Sequence, residues 1–359
     1  MTDQKIRVGV AGLGIGRSHL EGYQSLPDLF DVVAIADLDP NRGKAVAEEF
    51  HVERVYASLD DLCAQDDLEV IDICTPSFLH APNVKQVVAA GKHAIAEKPI
   101  AGSLKEVDEL IALEAQSGRR IMPIFQYRFG HGAQKLKLLI DAGVAGTPYL
   151  TTVETAWRRR PEYYAVPWRG KWATELGGGT VTLAIHNHDL LTYLLGPVRR
   201  VFARTKTLVN PIETEDTLTA SVEMADGSLA SLSLTTGSSE EISRHRFCFS
   251  GLVAESNTRP YTSTHEPWKF IGDTPEKDAE IQARLECFEP LPERFPGQFY
   301  RFYHALRDLG SLPVTLQDAR ASLEFITALY YSADTGQDVA LPIGADHPYY
   351  SGWMTTKGG

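Results

Sequence analysis

The stretch IRVGVAGLGIGR (residues 6–17) joins an apolar, β-rich run to a glycine-rich turn close to the start of the chain. Four more apolar β-rich runs follow, and helix-like segments separate them: DVVAIAD, VIDICTP, HAIAEKP and RRIMPIF. Near-continuous apolar strands that alternate with amphipathic helices are typical of a parallel sheet covered on both faces. The first third of the chain is therefore predicted to be an α/β domain with a doubly wound sheet.

Capping signals mark the ends of the intervening helices. Asp39 is followed by Pro40, which is the pattern of an N-cap with proline at the first helical position. The other candidates are two pairs with capping-box spacing and two glycines at helix ends: Ser58 with Asp61, Ser103 with Glu106, Gly91 and Gly118.

The glycine-rich turn predicts a dinucleotide site. Gly12, Gly14 and Gly16 follow the first strand and open the first helix, so that a pyrophosphate can rest on the backbone amides. The pattern is irregular, because the third glycine comes one position early for GxGxxG. Asp37 ends the second strand, where a carboxylate binds the ribose hydroxyls of NAD. Asp37 and Asp39 together would repel a 2′-phosphate, so we expect NAD rather than NADP; the alternative is a turn beside a surface aspartate.

Length and composition limit the classes of function. A chain of 359 residues exceeds one ordinary core, so two domains are expected. The net charge of −12 argues against nucleic acid as the partner, because phosphate binding needs a basic face. No apolar run approaches the roughly 18 residues that span a bilayer, and the stretch MTDQKIRVGV lacks the charged-then-apolar pattern that is typical of a secretory signal. The four scattered cysteines have no CxxC spacing, which predicts neither a zinc site nor disulfides and favours the cytoplasm.

Several further motifs are similar to those of one enzyme family. They are ICTPSFLHAP (73–82), AEKPIAG (96–102), QYRF (126–129), GGG (177–179), IHNHD (185–189) and LLGP (194–197). Together they resemble the Gfo/Idh/MocA family, which includes glucose–fructose oxidoreductase and inositol dehydrogenase. The Glu-Lys-Pro motif is the most specific element, and the resemblance covers essentially the whole chain. WRGKW (168–172) and HPYYSGW (347–353) resemble a subset of members.

The resemblance implies two domains. Residues 1–126 would form a Rossmann domain that binds NAD. Residues 127–359 would form an α+β domain for substrate binding and oligomerisation, with an open, mainly antiparallel sheet. The β-rich runs RVFARTKTL, DTLTASVEMADGSLASLSLTTG and HRFCFSG are compatible with such a sheet, with a hairpin turn at 225–227. Two helical segments follow near the C-terminus, the second capped by Thr315.

Lys98 is the first candidate for catalysis. It stands at the carboxyl end of an apolar strand, directly before Pro99, and ligands bind at that edge of a doubly wound sheet. A partly desolvated lysine there can take part in proton transfer. The alternative is a surface lysine that follows a strand. The resemblance identifies Lys98 as the catalytic lysine of the family and implies a cis bond to Pro99.

The segment TVTLAIHNHDLL (180–191) supplies the second candidate. On one helix, Thr182, His186 and Asp189 would share a face, whereas His188 would point elsewhere. Two diverging histidines are a poor metal site, so no metal is expected. We predict that His186 is the acid/base; the alternatives are a buried structural histidine or a metal ligand.

The histidine motif departs from the family pattern. Thr182 stands where many dehydrogenases of the family carry an aspartate one helical turn before the histidine. A hydroxyl stabilises a protonated imidazole much less than a carboxylate does. Asp189 could orient His186 from the other side, although it also matches a structural aspartate of the family. Thr182 and Asp189 are therefore predicted as catalytic support, and the full triad is in doubt.

The resemblance also implies a cofactor site and a substrate site. The predicted cofactor-binding residues are Gly12, Gly14, Ile15, Gly16, Asp37, Thr75, Pro76, His80, Glu97, Lys98 and Gln126. The predicted substrate-binding residues are Tyr127, Arg128, Trp168 and Arg169. The run WRRRPEYY (157–164) is cationic in an acidic protein. It could bind a carboxylate or sulfonate on the substrate through arginine, or it could be a solvated loop or a subunit contact.

These residues predict an oxidoreductase that transfers hydride between NAD and a hydroxyl carbon of a sugar, sugar derivative or cyclitol. One rival is an NAD-dependent oxidoreductive glycosidase that acts through a transient keto intermediate, and another is a non-catalytic regulator that binds dinucleotide and sugar. A third is a metal hydrolase built on His186, His188 and Asp189. Because a large sheet with one uncovered face usually needs a partner, a homodimer or homotetramer is expected.

Overall fold

The computed structural model describes residues 5–307 and 310–353. The chain forms two compact units. The first comprises Met1–Phe125 and Phe295–Arg320, and the second comprises Gln126–Arg294 and Ala321–Gly359. Residues 295–320 therefore belong to the first unit, whereas the sequence analysis assigned all of 127–359 to the second domain.

A six-stranded sheet forms the centre of the first unit. Its strands are β1 (Ile6–Ala11), β2 (Phe30–Ala36), β3 (Arg54–Tyr56), β4 (Val70–Ile73), β5 (His93–Ala96) and β6 (Ile121–Pro123). Their spatial order is β3-β2-β1-β4-β5-β6, and all neighbouring pairs are parallel, which confirms the doubly wound prediction. The strand order reverses between β1 and β4, and ligands bind outside the carboxyl ends of the strands at such a point.

Five helices connect these strands: α1 (Gly16–Gln24), α2 (Pro40–Phe50), α3 (Leu59–Cys63), α4 (His80–Ala89) and α5 (Leu104–Ser117). The predicted caps are confirmed. Asp39 accepts hydrogen bonds from the amides of Asn41 and Arg42 at the start of α2. Ser103 accepts from the amide of Glu106, whose carboxylate in turn accepts from the amide of Gly102.

An eight-stranded mixed sheet forms the second unit. Its strands are β7 (Pro148–Arg158), β8 (Val198–Lys206), β9 (Thr217–Met224), β10 (Leu229–Thr235), β11 (Gly237–Phe249), β12 (Leu252–Glu255), β13 (Lys269–Gly272) and β14 (Val339–Ala340). The order is β13-β12-β11-β7-β10-β9-β8-β14, and only β7 and β10 pair in parallel among the described pairs. The mainly antiparallel sheet is thus confirmed, and the predicted hairpin joins β9 to β10.

Burial alternates along the central strands of this sheet. In β9 and β10 every second residue is buried, and the residues between them are exposed or half-buried, including Thr219, Ser221, Ser231 and Ser233. One face therefore lies against helices and the other is open in the isolated chain. The homo-oligomer expected from this open face stays a prediction.

Five helices lie wholly in the second unit among the described residues: α6 (His131–Asp141), α7 (Trp172–Glu175), α8 (Gly179–Thr182), α9 (Ile185–Leu195) and α10 (Pro275–Leu285). Two helices follow them in the chain, α11 (Arg294–Leu306) and α12 (Leu316–Thr335). Thr315 caps α12 as predicted, because its hydroxyl accepts from the amide of Asp318. Among the described residues, no helix is long and apolar enough to cross a membrane.

Helix α11 explains why residues 295–320 join the first unit. Its apolar face buries Phe295, Phe299 and Phe302, and the ring of Phe299 stacks on Tyr23 of α1 at 4.2 Å between centroids. Gly22 leaves room for this contact, since a Cβ there would lie 3.0 Å from the Phe299 ring. The sequence predicts this helix, but no local pattern indicates that it packs against α1.

Candidate active site

In the first unit, the turn after β1 passes close to the end of β4. Gly12 has a φ of +90°, and a Cβ at this position would lie 2.6 Å from the carbonyl oxygen of Cys74 and 2.9 Å from the amide of Thr75. A Cβ on Gly14, in contrast, would meet no atom within 4 Å. The turn thus combines a tight backbone crossing with open space above Gly14, next to the start of α1. This cradle fits the pyrophosphate of a dinucleotide, as the sequence predicts.

Asp37 lies at the end of β2 and is largely buried. Its carboxylate accepts hydrogen bonds from the amides of Leu13 and Asp39, both at 2.9 Å. The exposed guanidinium of Arg42 lies 3.5 Å from Asp37 and 3.5 Å from Asp39. The carboxylate is therefore held next to the glycine turn, at the place where it can accept ribose hydroxyls, with a cation beside it that the sequence analysis did not weigh.

His80, one of the predicted cofactor-binding residues, lies between two backbone carbonyl groups. Its Nδ1 lies 2.7 Å from the carbonyl oxygen of Pro99, and its Nε2 lies 2.7 Å from that of Thr75. Both nitrogens thus face backbone, and the buried ring links the loop after β4 to the Lys98–Pro99 turn. Pro76 begins the short 3₁₀ turn Ser77–Leu79 in the same loop. In the described contacts, His80 organises this edge of the sheet.

Lys98 follows β5 and is half-buried. Its backbone amide donates a hydrogen bond of 3.1 Å to the carboxylate of Glu97, and the Lys98–Pro99 peptide bond is cis, as the resemblance implied. The amide of Glu97 donates to the carbonyl of Ile73, which ties this turn to β4. Lys98 therefore stands at the carboxyl edge of the parallel sheet, where the sequence analysis expected it.

In the second unit, a buried carboxylate anchors the GGG segment. Glu215 accepts hydrogen bonds from the amides of Gly178 and Thr180 at 3.0–3.1 Å and from the hydroxyl of Tyr330 at 2.8 Å. Burial raises the pKa of Glu215, and its hydrogen-bond donors act in the opposite direction. Glu215 could not be predicted from the sequence, because a single glutamate 35 residues after Thr180 carries no local signal.

The single helix predicted for residues 180–191 is wrong. Helix α8 ends at Thr182 and α9 begins at Ile185, and a wide turn separates them. In this turn the carbonyl of Gly179 accepts from the amides of both Leu183 and Ala184. Thr182 and His186 therefore do not occupy one continuous helical face. The hydroxyl of Thr182 donates to the carbonyl of Gly178 at 2.8 Å.

His186 lies in the first turn of α9 and is 5% exposed. Its ring stacks on Tyr127 with 4.6 Å between centroids and an angle of 17°. The Tyr127 hydroxyl is buried, and among the described residues it has no hydrogen-bond partner. Burial raises the pKa of Tyr127, whereas Arg294 and Arg159 lower it. A buried imidazole on an aromatic platform, beside an unsatisfied hydroxyl, is suited to receive a polar ligand.

Arg128 and Asp189 pair with each other. Nε and Nη2 of Arg128 donate to the two carboxylate oxygens of Asp189 at 2.8 and 2.6 Å, and both side chains are buried. This ion pair joins the segment that carries Tyr127 to the helix that carries His186. The predicted roles of Arg128 in substrate binding and of Asp189 in support of His186 stay predictions.

Trp168 and Arg169 belong to a group of aromatic and cationic side chains. The guanidinium of Arg169 lies over Trp168 at 4.4 Å and over Tyr163 at 4.0 Å, and it pairs with the buried Glu175 at 3.4 Å. Both predicted substrate residues thus contact side chains of the second unit. Gln126, the last predicted cofactor residue, is buried, and its Oε1 has no hydrogen-bond partner among the described residues.

The arginine run 158–160 separates in the structure. Arg158 and Arg160 are exposed, whereas Arg159 is 8% exposed and lies among the rings of Trp157, Tyr163 and Tyr261. Its Nη1 is 3.3 Å from Glu241, and its Nε is buried without a hydrogen-bond partner among the described residues. Only one of the three arginines is therefore placed as a recognition group would be.

His188 is a structural histidine in its surroundings. Its ring packs against Phe325 at 5.5 Å, and burial lowers its pKa to about 3. His186 and His188 thus contact different neighbours, as predicted from their spacing. Among the described residues, the one group of three side chains with the spacing of metal ligands is His19, Asp72 and Cys74, which does not include them.

Comparison with known proteins gives consistent matches along the chain. The model of an oxidoreductase family with an NAD-binding Rossmann fold, GFO_IDH_MocA, matches residues 6–125, and the GFO/IDH/MocA C-terminal domain matches residues 133–251. An uncharacterized oxidoreductase, YrbE of Bacillus subtilis, is 30% identical over 95% of this chain and 98% of its own. A myo-inositol 2-dehydrogenase of Thermotoga maritima is 28% identical over 57% of this chain and 60% of its own.

One solved structure is similar over nearly the whole chain. It is the WlbA dehydrogenase of Bordetella pertussis in complex with NADH and UDP-GlcNAcA, with a TM-score of 0.84 and 28% identity. The similarity covers 95% of this chain and 100% of that one.

The lowered pKa of His188 predicts a pH dependence of stability. A histidine in an unfolded chain has a pKa near 6.5. Between pH 6.5 and about 3, residue 188 is therefore protonated in the unfolded chain and neutral in the folded chain. Stability is therefore full above pH 6.5 and falls as the pH drops through this window, by up to about 1.4 kcal/mol per pH unit for this group. Thermal unfolding at pH 7.5 and pH 5 should show a smaller loss for His188→Gln than for the unmodified chain. Equal losses would contradict the assignment.

Proposed function

This chain belongs to the GFO/IDH/MocA family of NAD-binding oxidoreductases, and we propose that it oxidises a hydroxyl carbon of a sugar, sugar derivative or cyclitol with NAD⁺. The cradle at Gly14 and the carboxylate of Asp37 would hold the dinucleotide. When bound, NAD⁺ supplies the hydride acceptor, and the protein supplies position and proton handling.

In the proposed reaction, His186 accepts the proton of the substrate hydroxyl at a ring nitrogen. Lys98 donates a hydrogen bond to the same oxygen and stabilises the negative charge that develops as the O–H bond breaks. The carbon loses hydride, so the products are a ketone, NADH and a proton. The burial of His186 against Tyr127 supports this role, because water is kept from the imidazole and the ring is fixed for proton transfer.

The observation that carries the proposal is the placement of His186. Its ring is buried on the face of Tyr127, while the Arg128–Asp189 pair fixes the two segments that bear these rings. A histidine needed only for packing would resemble His188, which lies against Phe325 with its pKa lowered by burial. The similarity to a dehydrogenase structure that holds NADH adds support for the redox chemistry.

The roles of Lys98 and His186 can be tested together. His186→Ala and Lys98→Met should each lower kcat by about 10²–10⁴, as loss of an acid/base group does, while NADH affinity measured by fluorescence stays within a few-fold. The substrate would come from a screen of sugars, inositols and glycosides with NAD⁺. Because both groups act on one hydroxyl, the double variant should lose much less than the product of the two single losses.

Lys85→Met is the matched lysine control, since Lys85 pairs with Glu109 on the surface and should leave turnover unchanged. Full turnover by His186→Ala would refute the proposal. Cleavage of an aryl glycoside without accumulation of NADH would identify the oxidoreductive glycosidase instead. Tight NADH binding with no turnover on any member of the panel would identify the non-catalytic regulator.

The surroundings of Asp37 favour NAD over NADP in our proposal. A 2′-phosphate would approach two carboxylates, Asp37 and Asp39, although Arg42 compensates part of their charge. We expect kcat/KM to be higher with NAD⁺ than with NADP⁺ by about 100-fold, and Asp37→Ser to reduce that ratio at least tenfold, mainly by weakening NAD⁺. Initial rates with both cofactors measure this. A higher kcat/KM with NADP⁺ would identify Arg42 as the dominant group.

Arg159 favours a substrate that carries a carboxylate. Its guanidinium is buried among aromatic rings. Its positive charge lowers the pKa of Tyr127, whose ring stacks on His186. Glu241 already compensates part of its charge, so an anionic ligand would have to compete with this partner. The complex of the WlbA dehydrogenase with UDP-GlcNAcA is consistent with an acidic ligand.

A comparison of charged and neutral substrates tests this preference. UDP-GlcNAcA should be preferred over UDP-GlcNAc, and uronates over their parent sugars, by about 10-fold or more in kcat/KM. Arg159→Gln should remove the preference and leave the neutral rates within a few-fold. Arg160→Gln, at the exposed neighbour, should change neither. Equal use of charged and neutral members by the unmodified chain would rule out an acidic substrate.

A further inference from the structure

Five polar side chains form a buried cluster in the first unit. His19 and Tyr23 come from α1, Asp72 from β4, Cys74 from the loop after β4, and Glu97 from the end of β5. Nδ1 of His19 lies 2.7 Å from Asp72, and its Nε2 lies 3.1 Å from Glu97. The hydroxyl of Tyr23 donates to the same oxygen of Asp72 at 2.9 Å. None of the five is more than 6% exposed.

The two nitrogens of His19 face two carboxyl groups. A neutral imidazole has only one N–H to donate, so a proton on each nitrogen is the arrangement that satisfies both contacts. Burial is the largest single effect on the pKa of His19 and lowers it, but the neighbouring Asp72 and Cys74 together outweigh it and hold the pKa well above its usual value. The geometry and the charge balance thus agree on an imidazolium that bridges two acidic side chains.

A metal site is the alternative for this cluster, because His19, Asp72 and Cys74 have ligand atoms within 4.8 Å of one another. The spacing argues against it. Nδ1 of His19 and Oδ2 of Asp72 are only 2.7 Å apart, whereas ligands of a tetrahedral ion with bonds of about 2.0–2.1 Å lie about 3.3 Å apart. Burial also raises the pKa of the Cys74 thiol, which keeps the sulfur protonated. The contacts are those of a hydrogen-bond network.

The network reaches the backbone of Lys98. One carboxylate oxygen of Glu97 lies against His19, and the other accepts the hydrogen bond from the Lys98 amide. A carboxylate held at one oxygen can rotate, but one held at both has a fixed plane. The contact with His19 therefore fixes the acceptor that orients the main chain where the Lys98 side chain begins.

We propose that His19 is a positioning residue for Lys98, acting through Glu97. The role of Lys98 in turnover rests on the proposed function, whereas the link from His19 to the Lys98 backbone rests on the contacts themselves. It deepens that function by assigning a role to a histidine that lies on α1, directly after the glycine turn. Its partners come from strands 53 and 78 residues away in the chain, so no local motif predicts it.

Helix α11 closes the cluster. The rings of Phe295 and Phe299 lie 4.4 and 5.5 Å from the His19 ring and keep water from it. The titratable groups that face His19 are Asp72 and Cys74 from the β4 segment, Glu97 from the β5 end, and Tyr23 nearby on α1. Because these rings exclude water from the cluster, a water molecule cannot take the place of the His19 ring between Asp72 and Glu97.

Replacement of His19 separates positioning from packing. His19→Gln should lower kcat by about 10–100-fold, since a small misplacement of a catalytic group costs up to about 10²-fold, while KM for NAD⁺ stays within about threefold. Tyr23→Phe is the matched control, because it removes one buried hydrogen bond to Asp72 and leaves His19 and Glu97 in contact. It should lower the melting temperature and leave kcat within about twofold.

A double variant distinguishes the two roles of His19 further. In the His19→Gln background, Asp72→Asn removes one of the two carboxylates that have lost their cation, so the melting temperature should recover. The contact between the His19 ring and Glu97 is still missing in this double variant, so kcat should stay low. Recovery of kcat together with the melting temperature, or an unchanged kcat in His19→Gln, would show that His19 acts only in packing.

Two measurements without substrate keep this inference separate from the proposed function. Imidazole ¹⁵N NMR should show His19 doubly protonated at pH 8, with a changed signal in Glu97→Gln. The rate at which acetic anhydride modifies Lys98, followed by mass spectrometry, should change in His19→Gln and match the unmodified chain in Tyr23→Phe. A neutral His19 at pH 8, equal acetylation rates in both variants, or a stoichiometric bound metal would overturn the proposal whether or not the protein turns over a sugar.

Discussion

The first unit depends on one close backbone crossing. At Gly12 the turn after β1 passes the carbonyl of Cys74 at a distance that leaves no space for a side chain. This crossing fixes the start of α1 beside the end of β4, and two features follow from it. The exposed side of the turn becomes the cradle for a dinucleotide. The buried side brings His19 of α1 against Asp72 of β4.

The buried charges in both units share a physical purpose. Glu97 holds the amide of Lys98, Glu215 holds the amides of Gly178 and Thr180, and Asp189 holds the guanidinium of Arg128. Each carboxylate is buried, which costs free energy unless several hydrogen bonds satisfy it. Each also fixes a segment that precedes, carries or faces a candidate catalytic residue. Carboxylates with two or three donors thus orient the segments next to the candidate catalytic residues.

Much of the first unit could be predicted from sequence because its signals are local. Apolar runs gave five of the six strands, and Asp39 and Ser103 marked helix starts through side chains that cap within three residues. β3 was missed because three residues are too short for a periodic pattern. The His19 cluster could not be predicted, since its members come from three separate elements and meet only when the sheet is formed.

The second unit shows where local signals fail. The residues from 180 to 191 have helical spacing, yet they do not form one helix. The amide of Thr180 donates to Glu215, and the carbonyl of Gly179 accepts from the amides of both Leu183 and Ala184, where the helix is interrupted. The ion pair of Arg128 also carries no local signal in the sequence, because its partner Asp189 lies 61 residues away. β7 also went unnoticed, although it lies near the middle of the sheet, because its alternation is broken by polar residues at its centre and ends.

The contrast between His186 and His188 shows how placement alone separates two chemically equal side chains. They are two residues apart on α9, so their rings leave the helix in different directions. His188 meets Phe325 and loses its affinity for protons, because no acidic group compensates for the loss of water. The ring of His186 stacks on the face of Tyr127. The positive charges of Arg294 and Arg159 lower the pKa of that tyrosine. A histidine that takes and releases a proton during turnover needs polar groups within reach, and a purely apolar pocket would hold it neutral throughout. Residue type therefore nominates both histidines, and the surroundings favour one.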